Sequence, residues 1–394
     1  MEWTCLRGEP AYNYVLQESQ ALDQVVTAVL DNSYRNATEA AVQHWQSSAL
    51  TLITWCTQGR TVAPSLGGVP KACLAALADR DLDSLLYMAT KVSSLRQSIY
   101  ERVWRAQQAA LSEAAAIFQE EGIDFILLKG ADAFRWYNNE PVGMLNDVDV
   151  LVDRSALATV KRRMIQAGFR QARYDRQTAS LQDFDLRHVA AAETQTPELA
   201  PLVRLEKFPL TEPERVELST GKVGPIRLGD DEAQLIVSVD VHYQVALDVG
   251  NRGLFARAVP NHLGKGLRLS DSDAFWYLSG KYYNEVAHLN RSSLRHYAYI
   301  GPALAEGEID WEVVSRACAD FEMKIPLYYT LGFFQRLNPA VVPREVVASF
   351  RPGLHERGRD YGWQLSRIFG CDEPFPATVL PVASMGSSRN TDFV

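Results

Sequence analysis

The chain has 394 residues, of which 47% are hydrophobic and 22% are charged, so it suits two or three folded domains and is not disordered as a whole. Lys and Arg total 40 against 48 Asp and Glu, and the net charge of −8 disfavours general affinity for nucleic acid or an anionic membrane. The five cysteines form no CxxC pair, no apolar stretch is long enough to span a membrane, and the N-terminus lacks a signal-peptide pattern. We therefore expect a cytoplasmic protein of several domains without a membrane segment.

Helical spacing of apolar residues recurs through the first third of the chain, over residues 14–29, 38–57, 81–96 and 98–122. Gly and Pro residues at 65–70 interrupt this spacing and predict a loop. The stretch 98–122 is rich in Ala, Gln and Glu and ends at a glycine suited to a helix cap. We therefore predict a helical region over residues 1–100.

After residue 122, short apolar runs flanked by turn residues predict strands at 123–128, 147–152, 169–174 and 233–245. Helices are expected at 131–137 and 155–167, whereas the charged, proline-rich segment 175–232 is predicted to be irregular or hairpin-like. Helical spacing returns over 271–289, 291–305, 310–322 and 324–337. This order predicts an α+β protein whose mixed sheet lies in a core at 101–260, between helical regions at 1–100 and 261–376, with a tail at 377–394.

Two aspartates, Asp147 and Asp149, alternate with valines in one predicted strand. Because successive strand residues point to opposite faces, both carboxylates share one face while the valines face the core. Neighbouring like charges repel each other, and a divalent cation such as Mg²⁺, which prefers carboxylate oxygens, would neutralise them. An isolated Asp-x-Asp pair is a weak signal, since most such pairs lie at solvated strand edges or in turns.

A third carboxylate, Asp240, lies within the alternating valines of residues 237–241. Asp is depleted in strands and burial of an unpaired charge is costly, so this position is unusual for a purely structural residue. Beside Asp147 and Asp149, it would complete a two-metal site. His242 shares its predicted face and is interpreted either as a partner of the site or as a neutral core histidine.

The segment Lys129-Gly130-Ala131 follows one predicted strand and opens a short predicted helix. A glycine permits close backbone approach and free N–H groups at the start of a helix can bind phosphate, so this turn is a candidate phosphate site. The alternative is an ordinary tight turn with a solvated surface lysine. The next strand carries the aspartate pair, which places both features near one point.

With these motifs in this order, the sequence resembles the nucleotidyltransferase superfamily of the DNA polymerase β type. It is most similar to a bacterial group of nucleotidyltransferase family proteins. The resemblance covers roughly residues 80–345 and depends on Leu128-Lys129-Gly130, the strand 147–152, Asp240-Val241-His242, Leu294-Arg295 and Ile309-Asp310-Trp311.

The chain also departs from this group at several positions. Ala131 replaces a residue that is commonly Gly or Ser, and Tyr299 stands where an acidic residue is frequent. The stretch 142–146 before the aspartate pair lacks the arginine that the group often has there, and the segment 175–232 is longer than usual. These departures concern how the triphosphate or the acceptor is held, and they leave the three aspartates intact.

The resemblance implies a metal-dependent transfer of an NMP from an NTP, with release of pyrophosphate, and ATP is the first candidate for the NTP. It implies that Asp147, Asp149 and Asp240 bind two Mg²⁺ or Mn²⁺ ions and are the catalytic residues, with Asp240 accepting the proton of the acceptor hydroxyl. The acceptor stays open among small molecules, proteins and RNA.

The resemblance further implies a nucleotide-binding role for Lys129, Gly130, Ala131 and His242, with the lysine acting as a point charge on the phosphates. Two downstream cations, Arg291 and Arg295, together with His296, are interpreted as a solvated helix face rather than as a wall of the cleft.

Two other functions stay open at this point. The protein could bind a nucleotide, a peptide or a partner without transfer, which the residue at 131 and the missing arginine favour. It could also be an enzyme with altered group-transfer chemistry, which the long segment 175–232 suggests.

Overall fold

A computed structural model of the chain describes residues 39–60, 64, 71–91, 94–219, 223–229, 232–245, 251–287 and 293–351. The predicted helix at 14–29, the loop at 65–70, the tail at 377–394 and Arg291 lie outside these residues. The described chain folds into one mixed sheet with helices before and after it in sequence, so the fold class is α+β, as predicted.

Helices dominate both ends of the described chain. Those before the sheet are α1 (Glu39–Cys56), α2 (Lys71–Asp79), α3 (Asp83–Thr90) and α4 (Leu95–Glu120). Those after it are α10 (Asp271–Ala287), α11 (Arg295–Glu306), α12 (Trp311–Asp320), α13 (Lys324–Leu337) and α14 (Arg344–Ser349). None of these described helices combines the length and the apolar character that crossing a bilayer requires.

Nine strands within the described residues form the sheet, with shorter helices between them. The strands are β1 (Phe125–Leu127), β2 (Val148–Val152), β3 (Arg170–Asp175), β4 (Ser180–Asp183), β5 (Leu202–Lys207), β6 (Ile226–Leu228), β7 (Ala233–His242), β8 (Val259–Pro260) and β9 (Leu267–Arg268). The connecting helices are α5 (Lys129–Ala133), α6 (Leu157–Gln166), α7 (Leu186–Gln195), α8 (Glu212–Ser219) and α9 (Arg252–Arg257).

The strand order is β4-β3-β5-β7-β2-β1-β9-β8, and β6 pairs with β7 in addition. The central pair, β2 and β7, is parallel, whereas β1 pairs with β2 and β5 pairs with β7 in antiparallel fashion. All five residues of β2 are buried, as expected for a strand in the middle of a sheet that is covered on both faces. Asp149 and Asp240 therefore lie on central strands and not at a sheet edge, and Asp147 directly precedes one of these strands.

The long helix α4 holds the segment that leads into β2. The side chain of Trp104 donates to the carbonyl of Asn139 at 3.2 Å, and that of Gln107 donates to the carbonyl of Leu145 at 2.8 Å. Gln107 is fully buried, so its hydrogen bond has little competition from water. These bonds fix the chain just before the aspartate pair.

Most predicted elements of the described chain are present, but two predictions are wrong. The single helix expected at 81–96 is interrupted, because Lys91 adopts a left-handed φ of 57° after α3 and Ser94 caps α4 by accepting from the Gln97 amide at 3.5 Å. The segment 175–232, expected to be irregular or hairpin-like, does form the β3–β4 hairpin, but it also supplies α7, α8 and the interior strand β5.

Candidate active site

Two of the three predicted carboxylates stand side by side on the central strands. Asp149 of β2 is the register partner of Asp240 of β7. Since paired residues of neighbouring strands point to the same face, their side chains project from one side of the sheet. Asp147 lies one residue before β2, and the charges of Asp149 and Asp240 both act on its carboxyl. The structure thus brings together the three aspartates that the alternating pattern placed on one face.

The carboxylate of Asp149 is buried, with 3% of the residue exposed, and it has two basic partners. The ammonium of Lys129 donates to its Oδ1 atom, and the Nε2 atom of His242 lies 2.8 Å from the same oxygen. Burial alone would raise the pKa of this carboxyl, but the Lys129 charge and the His242 hydrogen bond hold it well below its usual range. Asp149 is therefore an anion whose charge is already compensated.

The carboxyls of Asp147 and Asp240 have weaker compensation. Asp240 accepts a hydrogen bond from the Ser238 hydroxyl at 2.7 Å. Burial and the neighbouring Asp149 charge raise the pKa of Asp240 to about 7, and burial together with Asp149 and Asp240 raises that of Asp147 to about 8. Both shifts have the sign expected where several carboxylates share a site with too little positive charge.

These residues fit a divalent cation in donor type and in charge, because oxygen ligands and uncompensated negative charge are what Mg²⁺ and Mn²⁺ require. In the structure, however, the ammonium of Lys129 already contacts the Oδ1 atom of Asp149. Across the residues that the structure describes, no group of three or more His, Cys, Asp or Glu side chains is arranged to hold a metal ion. Binding of a cation through Oδ1 of Asp149 would therefore require Lys129 to move.

The turn after β1 differs in detail from the predicted phosphate site. Lys129, and not the glycine, adopts the left-handed backbone conformation, with φ of 51°. A Cβ atom on Gly130 would lie 2.7 Å from Leu145 Cδ1 and 2.9 Å from the Tyr299 hydroxyl. Close packing therefore accounts for the glycine. Gly130 and Ala131 are both buried, and the interpretation of Lys129 as a solvated surface lysine is wrong.

The basic residues at the start of α11, Arg295 and His296, do not form a solvated face, so that interpretation of them is also wrong. Arg295 donates from Nη1 to the Met144 carbonyl at 2.8 Å, and its charge lowers the pKa of Asp147 against the larger effect of burial. His296 is 6% exposed and stacks on Tyr282 with ring centroids 5.0 Å apart. Arg295 thus brings positive charge to the segment 142–146, where the sequence has no arginine of its own.

One residue of the site gave no recognisable signal in the sequence. The Oε2 atom of Glu198 lies 3.2 Å from Nδ1 of His242, on the side of the ring opposite Asp149. Glu198 and His242 also form an isolated backbone bridge next to the end of β7. The glutamate orients the imidazole that contacts Asp149, and it comes from the proline-rich segment whose structure the sequence did not predict.

The chain matches a known protein family over about two thirds of its length. A family model described as uncharacterised nucleotidyltransferase matches residues 75–339, which include the whole sheet and every site residue named above. No curated protein and no solved structure matches the chain.

Proposed function

Because this chain belongs to the family of uncharacterised nucleotidyltransferases and is therefore a transferase of nucleotidyl groups, we propose that it moves an NMP from an NTP to an acceptor hydroxyl. Among the NTPs, ATP is the first candidate. In this proposal pyrophosphate leaves and a divalent metal ion is required. The observation that supports it most strongly is the parallel register between Asp149 and Asp240, with Asp147 two residues before Asp149.

Asp147, Asp149 and Asp240 are the proposed ligands of Mg²⁺ or Mn²⁺. A metal ion held there would neutralise phosphate charge and lower the pKa of the acceptor hydroxyl. The raised pKa values of Asp147 and Asp240 support this assignment, because they report negative charge that the protein's own cations leave uncompensated.

The chain's own residues have separate proposed roles. Asp240, with its raised pKa, accepts the proton of the acceptor hydroxyl. Lys129 provides a point charge for the terminal phosphates. Gly130 and Ala131 are both buried, and their proposed contact with the nucleotide is through their backbone N–H groups alone. His242 holds Asp149 in position through its 2.8 Å contact and is itself oriented by Glu198.

The acceptor is proposed to be a small molecule, a protein or an RNA. The net charge of −8 weighs against RNA, because binding of a phosphate backbone is driven mainly by basic residues. A basic face close to the aspartates would be needed to overcome this, and Lys129 and Arg295 are engaged with Asp149 and the Met144 carbonyl.

We also propose a cytoplasmic location. Cys56 is fully buried and donates its thiol hydrogen to the Leu52 carbonyl at 3.2 Å. Burial raises the pKa of this thiol to about 12, so that it stays protonated and behaves as a small core residue, which suits a reducing compartment.

Thermal unfolding of the full chain with Mg²⁺ or Mn²⁺ and each NTP in turn tests the proposal. A nucleotide at about one hundred times its dissociation constant stabilises the folded state by about 2.7 kcal/mol, which amounts to a shift of several degrees. We expect such a shift only when metal and NTP are both present. We also expect labelled pyrophosphate from the γ-labelled form of that NTP once an acceptor is supplied.

Two variants make this test specific. Asp147→Asn should abolish the joint shift produced by metal and nucleotide. In the absence of metal it should not lower stability, because burial and the neighbouring carboxylates raise the pKa of Asp147 to about 8, so that its carboxyl is mostly uncharged near pH 7. Asp124→Asn is the matched control, since Asp124 is exposed and precedes β1. Absence of any metal-dependent nucleotide shift in the unmodified chain would contradict the proposal. A shift without pyrophosphate for any acceptor class would favour binding without transfer.

A further inference from the structure

The buried Oδ1 atom of Asp149 is in direct contact with two basic side chains, unlike the carboxyl of Asp240. Lys129 and His242 both contact Oδ1 of Asp149, whereas the partner described for Asp240 is the neutral Ser238 hydroxyl. The lysine side chain is 19% exposed and that of Asp149 is 3% exposed, so water screens their attraction little. The ammonium therefore holds a position in which a cation is strongly favoured.

The backbone at Lys129 adopts a strained conformation that positions its side chain for this contact. Its φ of 51° lies in the left-handed region, which costs a residue with a side chain roughly 1–2 kcal/mol. The preceding amide, of Leu128, donates to the carbonyl of Asp149 at 3.0 Å, which ties the lysine's attachment point to the residue that it neutralises. Such strain persists where the surroundings determine the conformation, and it is concentrated at functional sites.

One ammonium cannot neutralise three carboxylates. Lys129 and a divalent cation attracted by Asp147 and Asp240 would compete for the negative charge of the third proposed ligand, Asp149, whose Oδ1 atom the lysine already contacts. When the cation enters, the displaced ammonium is left beside the position proposed for the phosphates, and a triphosphate would then be its natural partner.

We propose that Lys129 is an internal counter-ion that occupies the cation's place on Asp149 in the ligand-free protein and transfers to the triphosphate when metal and nucleotide bind together. This inference rests on the proposed function and adds to it an order of events. Metal alone binds weakly because it must displace the lysine, and nucleotide assists metal binding because it gives the lysine a new partner.

The test is a titration of the full chain with Mn²⁺, in which the electron paramagnetic resonance signal of free Mn²⁺ reports how much of the metal is bound. The titration is made first with Mn²⁺ alone and then with Mn²⁺ and ATP. In Lys129→Met, which keeps the length of the side chain and removes its charge, we expect Mn²⁺ alone to bind about tenfold more tightly, equivalent to ~1.4 kcal/mol. We expect ATP at saturating Mn²⁺ to bind about tenfold more weakly. A merely structural lysine would not change the two affinities in opposite directions.

The matched control is Lys207→Met. Lys207 also pairs with a carboxylate, Glu232, at 3.2 Å, but it lies opposite Gln234 near the start of β7, at the far end of that strand from Asp240. Both affinities should equal those of the unmodified chain in this variant. Lys129→Arg should keep Mn²⁺ binding weak, because a guanidinium retains the charge and pairs well with a carboxylate.

Equal or weaker binding of Mn²⁺ alone in a folded Lys129→Met protein would overturn the inference. If that variant does not fold, Lys129→Gln takes its place under the same criterion. The outcome is distinguishable from failure of the proposed function. Tighter Mn²⁺ binding in the variant supports the counter-ion whether or not any NTP is turned over. Turnover by the unmodified chain without the change in Mn²⁺ affinity supports the function and rejects the counter-ion.

Discussion

Arg295 at the start of α11 and Met144 in the segment before β2 are joined by a hydrogen bond of 2.8 Å from the Nη1 atom to the carbonyl oxygen. They are 151 positions apart in the chain, so the bond couples the C-terminal helices to the approach of the aspartate pair. Arg295 also acts electrostatically on Asp147. The positive charge that the resemblance places just before the aspartate strand is thus supplied from a helix that follows the sheet.

Replacement of Arg295 by Met is expected to lower the free energy of unfolding by about 1–3 kcal/mol, because it leaves a part-buried carbonyl without its charged donor. It should also weaken nucleotide-dependent stabilisation, since Arg295 is one of the two cations, with Lys129, whose charges reach Asp147, and a site with less positive charge attracts an anionic triphosphate less. Urea unfolding and the thermal shift with metal and NTP measure the two effects. Arg295→Lys should rescue the charge but not the hydrogen-bond geometry, and so should lie between the two.

The control for this variant is Arg316→Met, on the exposed face of α12, which should alter neither measurement by more than about 0.5 kcal/mol. Equal stability of the Arg295→Met and unmodified proteins would show that the bond to Met144 contributes nothing to holding the segment.

The sequence predicted the parts of the fold whose signals are local. Alternating valines located β2 and β7, and helical spacing located α1, α4 and α10–α13 to within a few residues. The order of the strands has no local signal, because β1 pairs with both β2 and the distant two-residue strand β9. The prediction for segment 175–232 was wrong because its prolines suggested an irregular chain. They lie between elements or, like Pro213, in the first turn of a helix, so they are compatible with the interior strand β5.

The same distinction applies to the site. Convergence of Asp149 and Asp240 followed from alternation, because a face-sharing pattern on two strands becomes a cluster when the strands are neighbours. The partners of these carboxylates could not be predicted in this way. Tertiary packing determines all three of them: the left-handed conformation of Lys129, the contact of Glu198 with His242, and the hydrogen bond from Arg295 to Met144.

Gly130→Ala tests whether close packing fixes the turn after β1. The added methyl group would lie 2.7 Å from Leu145 Cδ1 and 2.9 Å from the Tyr299 hydroxyl, so we expect a loss of about 1–3 kcal/mol in the free energy of unfolding. Tyr299→Phe alone should be nearly neutral, because the buried hydroxyl has no hydrogen-bond partner among the described residues.

The double variant Gly130→Ala with Tyr299→Phe should recover part of the lost stability, since it removes one of the two clashing atoms. Urea unfolding of the four proteins gives this coupling directly as a double-mutant cycle. Strict additivity of the two changes would mean that the hydroxyl does not limit the space at residue 130. The prediction would then be wrong.

Asp83 provides a test of pH dependence away from the aspartate cluster. It is 1% exposed, and its Oδ2 atom accepts a hydrogen bond from the Tyr100 hydroxyl at 2.9 Å. Burial raises the pKa of this carboxyl from 3.8 to about 6, against the lowering effects of Tyr100 and Arg96. Between about pH 4 and pH 6 the folded state therefore binds more protons than the unfolded chain. The contribution of Asp83 to stability accordingly falls as the pH rises through this window and is lost above it.

Asp83→Asn removes this titration while keeping an oxygen that can accept from Tyr100. Relative to the unmodified chain, the variant should therefore gain up to about 3 kcal/mol between pH 4 and pH 8, from a shift of roughly two pH units at 1.36 kcal/mol each. Urea unfolding at pH 4, 5, 6, 7 and 8 measures the difference, with most of the gain complete by pH 7. Asp320→Asn, at an exposed position of α12, should give curves parallel to those of the unmodified chain. Parallel curves for Asp83→Asn as well would show that the Asp83 carboxyl titrates alike in the folded and unfolded states.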